Sequence, residues 1–444
     1  MHFLDANGHR LSGANGESTR LYHEATAELA RLAGDPLAAA ERAIQHAPGM
    51  PMAHVLKAWL NLIGTEPAGW AVARAACAAA AALPADGRER AHLAAAAALA
   101  HGRWAEAGRR LEDLTAQWPR DLLALQVGHQ IDFFRGDARM LRDRIARALP
   151  SWDHGIAGWH AVLGMHAFGL EECGDLDGAE RAGLAAVAAE PRDGWAWHAV
   201  AHVHEMRGEP SAGIAWLAPA RETWSTGSFL APHNTWHLAL FHLDLDEPAR
   251  TLALYDEAIG GTGSSVVLDL VDASAMLWRL RLRGIAVGAR WESLADRWAA
   301  LGGHGLHAFN DLHALLAYLG AGRRAQAEAL IAAQHEALRR DDDNAVFTRE
   351  VGQPLCLALV ALERGDWAQA IDLLRGTRSH AHRFGGSHAQ RDLVDLTLLY
   401  AADRGEDRAL FLALASERVM RRPRNGLALR TAEAAGLPRL AVAA

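Results

Sequence analysis

The stretch DGWAWHAVAHVHEM, residues 193–206, places His198, His202, His204 and Glu205 within two helical turns. Imidazole is the side chain whose charge changes near neutral pH, and it is also the commonest metal ligand, so such a cluster suits acid–base or metal chemistry. On a helix, relative to His198, His202 lies at about 40°, Glu205 at about 340° and His204 at about 240°. His198, His202 and Glu205 therefore share a face, with Trp195 beside it, while His204 points elsewhere. Some thirty residues later APHNTWHLALFH repeats the spacing, stacking His233 and His237 with Asn234 next to them. In LDLVDASAMLWRL, Asp269, Asp272, Met276 and Arg279 fall on one helical stripe. FNDLHALLAYLG adds Asn310 and His313, and RFGGSHAQRD adds Gln390, Arg391 and Asp392.

The chemistry this set suits is proton transfer. His202 and His237 are the expected acid and base, with Glu205 or Asp272 orienting one ring by accepting its second N–H. His198 and His233 complete the expected catalytic group. Asn234, Asn310 and Gln390 would hold a small polar molecule or polarise a carbonyl, with Trp195, Asp269, Arg279, His313 and Arg391 as further ligand contacts. The expected reaction is of the hydrolase, lyase or isomerase type, with no cofactor. Two alternatives stand beside it. The histidines can be structural, bonding helix to helix in a protein-interaction scaffold. They can also hold a metal on the HxxxH helices, although Ala199 stands where HExxH has its glutamate. Arg279 with Asp272 or Asp269 also reads as a plain ion pair, and Trp195, Trp197 and Trp236 as core.

The elements that must position these residues are helices. Of 444 residues half are apolar, Ala, Leu, Arg and Glu dominate, and apolar positions recur every three or four residues, which predicts an all-α chain. Gly102, Gly136, Gly174 and Gly208, spaced by 34, 38 and 34 residues, each precede a helix. That is the period of tetratricopeptide (TPR) helix pairs. The expected architecture is a TPR-like α-solenoid, a superhelix of antiparallel helix pairs in a single continuous array over 21–435, after an N-terminal extension 1–20 and before a tail 436–444. GGTGSS (260–265) and RRDDDNAVF (339–347) read as loops.

Acidic residues exceed basic ones for a net charge of −8, and the basic residues are scattered, so nucleic acid and anionic membrane are not expected partners. No apolar run reaches the length of a membrane span. The N-terminus has no signal-peptide pattern, and Cys77, Cys173 and Cys356 show neither disulfide nor zinc-knuckle spacing, so a cytoplasmic location is expected. Phosphate-cradling GxxxxGK[ST] and nucleophile-elbow GxSxG motifs are missing. A small polar molecule is the expected partner, with a homodimer left open.

Across about residues 15–430 the chain resembles the tetratricopeptide repeat protein 38 family. The resemblance rests on GMHAFGLEE, WAWHAVAHVHEM, HNTWHLALFHLD, LDLVDASAMLWRL, VGARW, FNDLHALLAYLG, VGQPLCLALV and GGSHAQRDLV, in that order. It implies an α-helical fold and marks His198, His202, His204, Glu205, His233, Asn234, His237, Asp269, Asp272, Ser274 and Arg279 as family positions. Asn310, Asp311, His313, Ser387, Gln390, Arg391 and Asp392 are marked in the same way. The sequence departs by reading Ala275–Met276 after Ser274, where the family often has Ser-Met. The resemblance implies a pocket and brings no settled reaction with it.

Overall fold

The computed structural model describes residues 2–437. Among these the chain is all-α and TPR-like: helices follow one another from Gly16–Arg31 to Gly426–Ala435, and extended pairing is limited to the isolated bridges Leu4–Arg10 and Ala33–Ser228. Most of the expected tail, 438–444, lies outside the described residues.

The glycine period marks the turns inside the helix pairs. Gly136 (φ 63°) and Gly174 (φ 86°) adopt the left-handed conformation that only glycine takes at little cost. The next residues, Asp137 and Asp175, cap the following helices by accepting from the Met140 and Gly178 amides at 3.1 and 2.9 Å. Each cap satisfies an amide that the helix itself leaves open, worth about 1 kcal/mol. The turn forces consecutive helices back against each other, so Trp159–Glu172 packs on Leu176–Ala189 and Gln353–Glu363 on Trp367–Arg378.

The helices gather into two compact units. The first comprises residues 1–200 and 222–231, and the second 201–221 and 232–444. In the first, Leu125, Ile145, Ala148, Trp152, Val162 and Met165 form one core cluster. A Cβ on Gly169 would lie 2.6 Å from the Arg142 backbone, so that helix crossing requires glycine. In the second unit the buried Trp278 and Trp298 indoles donate to Thr397 Oγ1 (3.0 Å) and Ser274 Oγ (2.9 Å), satisfying the N–H groups that burial would strand.

GGTGSS is a loop, as its composition predicts. RRDDDNAVF is not a loop throughout. Asp342 caps a helix beginning at Asp343 by accepting from the Ala345 amide at 2.9 Å, so the acidic run ends in a helix start. The segment Asp343–Glu363 is long and apolar enough by composition to cross a membrane. Its Val351, Leu355, Cys356 and Leu359 are buried, and it packs on the Ala308–Gly320 helix, as a core helix does.

Candidate functional site

The second unit takes His202 from residues 201–207 of the Gly194–Arg207 helix, and His233 and His237, one turn apart, from residues 232–244 of the Ala231–Asp244 helix. The His202 and His237 rings lie 4.5 Å apart between centroids, and His233 and His237 5.0 Å. Each of the three offers a ring nitrogen within 4.8 Å of those of the others. His233 Nδ1 donates to Asp272 Oδ2 at 2.8 Å, because a carboxylate only accepts. In a neutral ring that bond sets the tautomer with the lone pair on Nε2. The His233 ring also stacks on Trp236, with centroids 5.5 Å apart and planes at 8°.

His202 and His237 are fully buried, and burial drives their pKa values well below the ordinary imidazole range. Neighbouring histidines push the same way, as do Arg391 and Arg422 for His202 and Arg279 for His237. Both rings are thus neutral near pH 7.

A second polar group in this unit surrounds a cavity of about 270 Å³ lined by Glu205, Asp244, Arg279, Asp392, Arg418 and Arg422 among others. Arg418 grips Asp392 with two bonds of 2.9 and 3.0 Å, and Arg422 holds Glu205 at 2.8 Å. Burial alone would raise the Asp392 carboxyl, but the guanidinium groups of Arg418, Arg422 and Arg279 hold it well below the usual range. Asp244, which accepts from Asn425, is pushed up to about 7 by burial and by the Glu205 charge. Arg279 donates to the Ala389 carbonyl at 2.6 Å and stands 3.9 Å from Asp392. Arg279 Nε, Arg418 Nε and Glu205 Oε2 are buried with no hydrogen-bond partner among the described residues.

The candidates read from the sequence thus divide. His202, His233, His237 and Asp272 come together, with Asn234 buried on the same helix as two of them. Glu205 turns to Arg422 and the cavity, so Asp272 is the carboxylate that orients an imidazole, and the imidazole is that of His233. Arg279 pairs with neither Asp269 nor Asp272: it reaches the His388–Arg404 helix, while Asp269 accepts from Ser264 Oγ at 2.6 Å. His198 and Trp195 pack in the first unit, their rings 4.7 Å apart and 5.5 and 4.9 Å from Phe168. His204 stands 3.6 Å from Glu209, off the His198–His202 face.

His313 donates from Nδ1 to the Phe309 carbonyl of its own helix at 2.8 Å, and burial lowers its pKa to about 4. Asn310 is half-buried on that helix. Gln390 belongs to a capping box: its side chain accepts from the Ser387 amide at 3.0 Å and its amide donates to Ser387 Oγ at 3.3 Å. Arg391 bonds the Gly386 carbonyl. Asp244, Arg418 and Arg422 were not singled out by the sequence reading. The signal was the pair of arginines four residues apart in SERVMRRPRN, one helical turn, which places both on one face.

No family model matches the sequence. Among solved structures, the APC/C hetero-tetramer Cut9–Hcn1 is similar at 13% identity over 85% of this chain and 75% of that chain, with a TM-score of 0.36. The P58(IPK) TPR domain is similar at 14% identity over 88% of this chain and 99% of that one, with a TM-score of 0.21.

Proposed function

We propose that the protein is a TPR-like interaction scaffold, and that its finer affiliation is with the tetratricopeptide repeat protein 38 family. The observation that carries the reading is the succession of helix pairs through both units. Such repeats bury their apolar faces on their neighbours and use extended concave surfaces to recognise partners. The buried histidines fit it, because rings packed inside a unit contribute to structure rather than to a binding face. The location that fits is the cytoplasm: Cys77, Cys173 and Cys356 are all free thiols.

A second reading is favoured by the cavity in the second unit: binding of a small polar molecule, with donors at Arg279 and Arg418 and an acceptor at Glu205. Catalysis by His202 and His237 as paired acid and base is the less favoured form of it. Such a pair works when surroundings push the two pKa values apart, whereas burial pushes both of these down.

Two assays on the full chain separate the readings. The scaffold reading expects saturable binding of a peptide from a library spanning acidic, basic and apolar sequences, with exposed helix amides protected from hydrogen exchange. It fails if no peptide binds more tightly than about 0.1 mM. The small-molecule reading expects a polar metabolite to raise the melting temperature, and the increase to vanish in Arg279→Met.

A further inference from the structure

We propose that His202, His233 and His237 bind one divalent transition-metal ion of the zinc type inside the second unit. The inference stands on geometry. Three imidazoles from two helices converge until a nitrogen of each lies within 4.8 Å of the others, and small ring rotations bring such atoms to the spacing that bonds of about 2.0–2.1 Å to one ion demand. His233 and His237 lie one turn apart on the same helix, the spacing at which two imidazoles can share a metal.

The surrounding groups point the same way. Metal-bound histidines characteristically donate their other N–H to a carboxylate, which fixes the ring and makes its free nitrogen more basic. Asp272 does this for His233 at 2.8 Å. An imidazole-only ligand set selects zinc, copper, iron or nickel over calcium or magnesium, which take oxygen ligands. His233 keeps 16% of its side chain exposed, which gives the ion a route in from solvent. The proposal depends on neither functional reading above.

The test uses the full chain, purified without a histidine tag and stripped with a chelator. Co²⁺ is titrated in and the visible d–d band of the bound ion is followed, and then Zn²⁺ is added in competition. The expected result is one Co²⁺ per chain, displaced by Zn²⁺. His237→Gln should abolish binding, and Asp272→Asn should weaken it by roughly 10- to 100-fold. His313→Gln, which removes a buried histidine outside the trio, should bind as the unmodified protein does. If His237→Gln does not fold, His233→Gln, at the partly exposed position, replaces it. A folded protein that takes up no stoichiometric Co²⁺ overturns the proposal. So does a folded His237→Gln or His233→Gln variant that binds with unchanged affinity.

Discussion

The two units use buried histidine differently. In the first, imidazoles are matched to carboxylates: His92 Nε2 to Asp121 at 2.8 Å, with Arg88 on the same carboxylate at 2.8 Å, and His160 to Asp193 at 2.7 Å. His129 is one exception. It sits edge-on to Phe168 and Trp195, both 5.8 Å away, and burial lowers its pKa to about 3. In the second unit three imidazoles gather with a nitrogen of each within 4.8 Å of the others, and one of them, His233, bonds the Asp272 carboxylate. A matched pair fastens one helix to another; a gathering of imidazole nitrogens is the arrangement proposed above to take a metal ion. The same residue type thus serves cohesion in one unit and a candidate site in the other.

The largest way to break the comparison is Asp121→Ala. It leaves Arg88, 2% exposed, and His92, wholly buried, without the carboxylate that both share. Removing one partner of a buried pair costs about 3–5 kcal/mol, of which Asp5, 3.4 Å from Arg88, offsets a part. Urea denaturation followed by fluorescence should show the first unit unfolding at much lower denaturant. A loss below about 1 kcal/mol would mean that the matched network is not what holds those helices.

Asp311 provides the next effect and ties the second unit to pH. It accepts from the Gly305 amide at 2.9 and 3.2 Å, yet burial pushes its pKa up to about 7. Below about pH 4 the carboxyl is protonated in folded and unfolded chains alike. Between about 4 and 7 the unfolded chain gives up this proton while the folded chain keeps it, so stability falls as pH rises. Asp311→Asn should remove that fall, and the stability difference between variant and wild type should change by about 2–4 kcal/mol from pH 4 to pH 8. A difference that does not vary with pH would refute the raised pKa.

The fold was far more legible than the site. Gly136 and Gly174 announced their turns because a left-handed residue followed by a capping Asp is a local signal, complete within a few residues. The pairing of His233 with Asp272 spans 39 positions, and that of Arg422 with Glu205 spans 217. Helical periodicity placed each residue on a face of its own helix, and it could not say which faces meet. That is why Glu205, drawn beside His202 by rotation, turns out to bind Arg422. It is also why Gln390, grouped with possible ligands, serves the start of its own helix. The cavity arginines were passed over for a related reason, since four arginines near a chain end read as a solvated surface until the helix folds back on Asp392 and Glu205.

Asp272→Asn tests the contrast at the histidine trio itself. An amide oxygen still accepts from His233 Nδ1, and the partly exposed ring can turn toward water, so the metal-free protein should lose only about 1 kcal/mol. A thermal melt in chelator measures it. A loss as large as that of Asp121→Ala would make Asp272 a fastening of the first unit's kind.

Arg279→Met should have the smallest effect. Arg279 is 4% exposed, but its only hydrogen bond among the described residues runs to the Ala389 carbonyl, and its nearest carboxylate contact is 3.9 Å, against the close grip of Arg88 on Asp121. It also lies 5.6 Å from the centre of the Trp236 ring, a contact that a methionine sulfur partly replaces. Removing the cation spares its desolvation, and Asp392 keeps its two bonds from Arg418. The two contributions oppose each other, so the stability change should stay within about 1 kcal/mol of zero in either direction. A loss above about 3 kcal/mol would make Arg279 a structural fastener, and the second unit's cavity would then be held together as the first unit's network is. A near-zero change leaves Arg279 as a buried cation at the cavity wall that the fold does not need, which is the condition for a residue kept to meet a ligand.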